Sequence, residues 1–243
     1  MNAVSTASRS YFSSSVFKKQ IVAVTGLIMV GFIIAHLAGN LLVFAGPEAF
    51  NSYTEKLHDL GELLWLARGG LLVALILHVY FTIQLVKENR QARGGRYDVE
   101  KTKRGDATQL ARRYMVLTGV VVFGALLFHL NHFALPSKGE DNVKTFLPSE
   151  TGEVPMGLYG LVMNAFGNPE YYNYLLVPFY IVFVFAVGAH LTHGVQSLFQ
   201  SLGFHHDRYT PYIDKISIAL GIIVALGFST IPVFILLSGT PSV

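Results

Sequence analysis

The chain reads as an all-α integral membrane bundle of five transmembrane helices, N terminus cytoplasmic and C terminus outside. Three observations predict it. Of 243 residues, 52% are hydrophobic and 14% charged. The apolar residues gather in five runs of roughly the 20 residues that a helix needs to cross a bilayer. The Lys and Arg residues concentrate on one side of those runs. Continuous apolar runs exclude the alternating pattern of a membrane β-barrel, and in lipid only helices or closed barrels satisfy every backbone group.

The first span, about 21–45, follows a Ser/Thr-rich stretch from Ser5 to Ser15 without acidic residues. That stretch slightly resembles a transit peptide, with Arg9 as its one cation before Lys18. The span itself has no Ala-x-Ala cleavage site and exceeds a signal-peptide core, so it is expected to stay as a helix. A first outer loop leads to the second span, about 63–86. A strongly basic segment precedes the third, about 114–136. The outer loop 137–172 carries Glu140, Asp141, Glu150, Glu153 and Glu170, with an apolar patch from Met156 to Phe166. At about a dozen residues the patch is too short to span, and is expected on the interface or packed over the bundle. Spans at about 173–199 and 212–238 complete a single membrane domain over residues 1–243.

Orientation follows from charge. Arg9, Lys18 and Lys19 precede the first span. Lys87, Arg90, Arg93, Arg96, Lys101, Lys103, Arg104, Arg112 and Arg113 lie between the second and third, and Arg208 and Lys215 between the fourth and fifth. These are fourteen of the 18 Lys and Arg residues, so the positive-inside rule puts that side in the cytoplasm. The net charge of +3 therefore reflects topology, and no nucleic-acid surface is expected. The absence of cysteine excludes disulfides, thiolate-held iron–sulfur clusters and c-type haem attachment.

Four of the five spans carry a histidine within the hydrocarbon: His36, His78, His129 and His190. Intramembrane ionisable groups are costly and functional by default, and neutral imidazole is the commonest metal ligand. His36 is 17 residues past Lys19 and His129 is 16 past Arg113, which puts both roughly 25 Å from the cytoplasmic ends of their helices. His78 is 9 residues before Lys87 and His190 is 10 before Gln200, or roughly 14–15 Å from those ends. Two pairs at two depths, each drawn from different helices, suit two stacked planar cofactors with axial ligands. Bis-histidine haem is the natural candidate, because two axial imidazoles leave iron no open position and favour electron transfer. A lone intramembrane histidine is as readily a hydrogen-bonded packing residue; four at paired depths are harder to read that way. His132 and His193 lie three residues after a candidate on a neighbouring face, and depth alone does not choose between them. His58, His205 and His206 fall outside the hydrocarbon.

These residues also carry a resemblance. Lys18-Lys19-Gln20 and Thr25-Gly26 lead to His36-Leu37-Ala38-Gly39-Asn40, with Glu48-Ala49-Phe50-Asn51 beyond; Leu77-His78-Val79-Tyr80, Thr118-Gly119 before His129, and His190-Leu191-Thr192-His193-Gly194 follow. Over nearly its whole length the chain resembles the five-helix diheme cytochrome b subunit that anchors succinate:quinone oxidoreductases, the succinate dehydrogenases and quinol:fumarate reductases. The resemblance selects His129 and His190 over their neighbours. It implies that His36 and His129 hold a distal haem b and His78 and His190 a proximal one. It further implies a flavoprotein subunit with covalent FAD and an iron–sulfur subunit on the cytoplasmic face, in a bacterial inner (cytoplasmic) membrane, and leaves open a higher oligomer of the complex. The basic loop and His205-His206-Asp207-Arg208 are the surfaces expected to meet those subunits.

Haem propionates need cationic or hydrogen-bonding partners. Lys18, Lys19, Arg112 and Arg113 are the candidates for the proximal haem; topological anchoring is the plain alternative for each. Asn40, Arg68 and His132 are the candidates for the distal one. A menaquinone reacting beside the distal haem needs a proton-exchanging group, and His58, Asp59 and Glu62 cluster where the first outer loop enters the second helix. In some quinol-oxidising members a glutamate serves there; here His58 stands in its place. Two other readings fit parts of the pattern: a diheme anchor of another respiratory oxidoreductase, which tends to put two ligands on one helix, or a non-haem transporter whose histidines relay protons.

Overall fold

The computed structural model describes residues 11, 14–93, 114–134, 157–169 and 173–238, which form helices joined by short turns, with no strand among them. The five long ones are α1 (Ser15–Leu41), α3 (Glu62–Arg93), α4 (Met115–His129), α6 (Asn173–Ser201) and α7 (Thr210–Ser238); two short ones, α2 (Pro47–His58) and α5 (Gly157–Gly167), lie between them. All five long helices are long and apolar enough to cross a membrane, a 3₁₀ turn extending α1 to Ala45 and a π turn extending α4 to Ala134.

Local chemistry sets the boundaries. The Ser14 hydroxyl accepts the Phe17 amide at 3.2 Å and so caps α1, which starts six residues before the expected span. Gly46 turns the chain at φ 94° and Pro47 opens α2, a position where its missing N–H costs nothing. The segment expected as a first outer loop is therefore largely helical. Gly61, at φ 52°, makes the turn into α3.

The apolar patch expected on the interface or over the bundle is α5, and it is packed in: Val162, Met163, Ala165 and Phe166 are buried. Its first turn is tied to α2, where Asn51 Oδ1 accepts the Tyr159 amide at 3.1 Å. Together α2, α5 and the ends of α6 and α7 form the tightest core, around Phe50, Met163, Phe166, Tyr180 and Ile235. This core closes the end of the bundle remote from Lys18 and Lys87, called here the far end; the lysine-bearing end is the basic end.

The long helices pack unevenly. The most extensive contact joins α6 to α7, where Gly188 and Gly221 bring the backbones so close that a Cβ on either would stand 2.5 Å from the other's carbonyl oxygen. Helix α3 makes extended contact only with α1, and α4 only with α6 and its own π turn; α1 also meets α6 and α7. The bundle is thus two helix pairs, α1–α3 and α4–α6, joined along α1 and α6 and backed by α7. Elsewhere large apolar side chains such as Leu66, Ile76, Val120 and Leu237 face outward, as lipid-facing positions do.

Candidate functional site

Histidines come near each other across helix pairs that share little backbone contact. His36 on α1 meets His129 on α4, ring centres 6.0 Å apart and planes at 78°. His78 on α3 lies close enough to His190 on α6 to interact electrostatically. Neither α1 with α4 nor α3 with α6 makes extended backbone contact. The sequence pairing by depth is the pairing the fold brings together: a near pair toward the basic end and a far pair beyond it.

The near pair is held by hydroxyls. Thr25 Oγ1 lies 3.2 Å from His78 Nδ1, and Thr118 Oγ1 lies 3.3 Å from His190 Nδ1. The Val22 carbonyl is 3.2 Å from the same nitrogen of His78, and the Met115 carbonyl bonds His190. Each ring also rests over a glycine: a Cβ on Gly26 would stand 3.5 Å from His78 Cε1, and one on Gly119 3.3 Å from His190 Cε1.

The far pair sits among aromatic rings. Phe32 stacks on His36 at 5.2 Å and Phe228 lies at 5.7 Å, while Phe133, Tyr180 and Phe183 surround His129. His129 Nδ1 is buried without a hydrogen-bond partner among the described residues. A buried polar atom left unmet is costly and calls for an explanation. His132, three residues on within the π turn, is engaged differently: its Nδ1 lies 2.8 Å from the Tyr180 hydroxyl. π turns frequently mark functional sites, and this one begins directly after His129.

Chemically, the sites are pairs. Among the described residues no group of three or more His, Asp or Glu side chains could hold a metal ion, so the three or four protein ligands of a zinc site are not assembled. Two imidazoles approaching from different helices suit a metal that brings its other donors with it, as in a macrocycle. The 6.0 Å between the far rings also matches the roughly 6 Å that two imidazoles span when each lies about 2 Å from one shared metal.

The remaining candidates are scattered. Lys18 pairs with Glu88 across α1 and α3. Lys19 is exposed, and Arg112 and Arg113 lie outside the described residues. Asn40 Nδ2 donates to the His36 carbonyl at 2.8 Å and crosses the imidazole edge at 3.3 and 3.4 Å from its two nitrogens. Arg68 stacks its guanidinium over Trp65 at 5.0 Å on the outward surface. His58, Asp59 and Glu62 are all exposed, and His58 Nδ1 bonds the Thr54 carbonyl of its own helix at 2.8 Å. Sequence reasoning missed Tyr180 and Glu88 as partners, and it missed what Thr25 and Thr118 touch. The available signal was the equal spacing from each threonine to the next histidine, eleven residues in both α1 and α4.

The chain matches no protein-family model, no curated protein and no solved structure. Its functional reading rests on its own residues.

Proposed function

We propose that the chain is the membrane-anchor diheme cytochrome b subunit of a succinate:quinone oxidoreductase, passing electrons between an iron–sulfur subunit and menaquinone. The observation that carries this is the two histidine pairs, each drawn from two helices that share little backbone contact. His78 and His190 would hold a haem b toward the basic end, and His36 and His129 a second toward the far end. Bound there, haem iron supplies a one-electron couple between its ferrous and ferric states.

The chain's own residues do the rest. Each imidazole pair would hold one haem, and a group held by two imidazoles would supply electron transfer rather than oxygen chemistry. Phe32, Phe133, Phe183 and Phe228 surround the far pair with apolar surface, lowering the local dielectric and so helping to set the redox potential. The basic end, cytoplasmic by the positive-inside rule, offers cations to a flavoprotein and an iron–sulfur subunit. His58, Asp59 and Glu62 stand at the far end, where quinone chemistry would need proton exchange.

The test is a redox spectrum of the purified complex with its protein partners identified. Two low-spin haems b per chain and a covalent flavin on a co-purifying subunit are the expected result. Two haems with a flavin-free partner would point to the anchor of another respiratory oxidoreductase. A sample with no reducible Soret band would overturn the cytochrome reading in favour of a transporter.

A further inference from the structure

The two helix pairs repeat one device. The first helix of each, α1 or α4, carries Thr-Gly, and eleven residues after the threonine comes a histidine of the far pair: Thr25-Gly26 with His36, Thr118-Gly119 with His129. The second helix of each, α3 or α6, sends a near-pair histidine onto that Thr-Gly. Even the second acceptor corresponds, since Val22 and Met115 each stand three residues before the threonine.

Each hydroxyl has a carbonyl acceptor on its own helix. Thr25 Oγ1 donates to the Ile21 carbonyl at 2.7 Å, and Thr118 Oγ1 to the Met115 carbonyl at 3.0 Å. A hydroxyl has one proton, so with that proton on the helix carbonyl each oxygen meets its imidazole with a lone pair. A carbonyl oxygen, which can only accept, is the second neighbour of His78 Nδ1 at Val22, and the Met115 carbonyl is a second acceptor for His190. This set of acceptors favours the proton on Nδ1 of both rings, with the lone pair of each near-pair ring on Nε2. The far pair has no such arrangement: His129 Nδ1 has no partner among the described residues, and Asn40 lies almost equally far from both nitrogens of His36.

We infer that Thr25 and Thr118 are positioning residues that fix His78 and His190 in the Nδ1–H tautomer and tune the near metal site without touching the far one. The inference rests on the haem reading above. Hydrogen bonding at the outer nitrogen raises the basicity of an imidazole ligand and favours the oxidised metal. Removing the acceptor weakens that donation, so the potential of the near haem rises.

The experiment compares the intact complex with its Thr25→Val, Thr118→Val, double Val and corresponding Ser variants. Haem content, the low-spin electron paramagnetic resonance signal and the midpoint potential of each haem are measured. The near haem is identified as the one lost in His78→Ala. The expected result is two haems in the Val variants, with the near potential shifted upward, further in the double variant. Its resonance signal moves while the far haem keeps both values, and the Ser variants match the parent. Loss of the near haem in Val but not Ser variants would equally support the assignment. Val variants with an unchanged near haem, equal shifts in both haems, or loss of the near haem in Val and Ser variants alike would overturn it. A parent complex with no haem would sink the functional reading itself, a result separable from all of these.

Discussion

His129 and His132 differ by three residues and are both half-buried, yet one phenol gives them different surroundings. Tyr180 engages His132 at Nδ1, while the same atom of His129 stays buried and unmet. His132→Ala is therefore expected to leave two haems per chain, and His129→Ala or His36→Ala to leave one, read by haem-to-protein ratio in the purified subunit. The opposite outcome on α4 would reassign the far ligand to His132. The four paired histidines were legible in the sequence because depth is a matter of counting from the charged ends. What holds them was not, because Thr25, Thr118 and Tyr180 reach their partners from other helices, and linear spacing says nothing about which faces meet. Lys18 makes the same point from the other side. Placed in the sequence as a candidate for a propionate, it pairs in the fold with Glu88, 43% exposed. An ion pair that open to solvent is worth little, so Glu88→Gln is expected to cost less than about 1 kcal/mol of stability in thermal unfolding.

Helices are where hydropathy reads best and where its blindness begins. All five long helices were expected from apolar runs, to within a few residues where their ends are described. Helix α2 was not, because its polar residues conceal a start signal, Gly46-Pro47, that a hydropathy scan passes over. For α5, burial beneath α2 depends on Asn51 meeting Tyr159 from 108 residues away. The α6–α7 contact was equally hidden, since glycine in a membrane helix marks a packing face only when its partner is known. That contact supplies a paired prediction. A Cβ on Gly221 would lie 2.3 Å from Thr192 Oγ1 and 2.5 Å from the Gly188 carbonyl, so Gly221→Ala forces backbones apart and is expected to destabilise by about 1–3 kcal/mol. Gly69 on α3 has nothing within 4 Å of its Cβ position. Gly69→Ala should gain up to about 1 kcal/mol from helix propensity. Thermal unfolding of the two variants in the same detergent should move in opposite directions.

At the scale of the whole molecule, the question is why two sites are stacked along one bundle. Along α1 the near pair is level with Thr25 and the far pair with His36, eleven residues on, a rise of roughly 16 Å. A chain that delivered electrons only to the basic end would need just the near pair. The far pair makes sense when the terminal acceptor lies at the opposite end, where His58, Asp59 and Glu62 are exposed. On the proposed reading, electrons would enter from cytoplasmic partners and the quinone would be protonated from outside, so charge would cross the membrane at about 2.3 kcal/mol per elementary charge per 100 mV. Turnover of the intact complex between succinate and menaquinone is therefore expected to depend on the membrane potential. The measurement is the rate in sealed proteoliposomes with and without an uncoupler, for the parent and for His58→Ala. A potential-dependent parent and a slowed His58→Ala place the proton exchange at the far end. A rate indifferent to the uncoupler, or an inhibitor seated beside His78, would move the quinone to the basic end and leave the far pair needing another purpose. A His58→Ala complex that turns over like its parent while still sensing the potential would keep the far-end quinone and pass the proton exchange to Asp59 or Glu62.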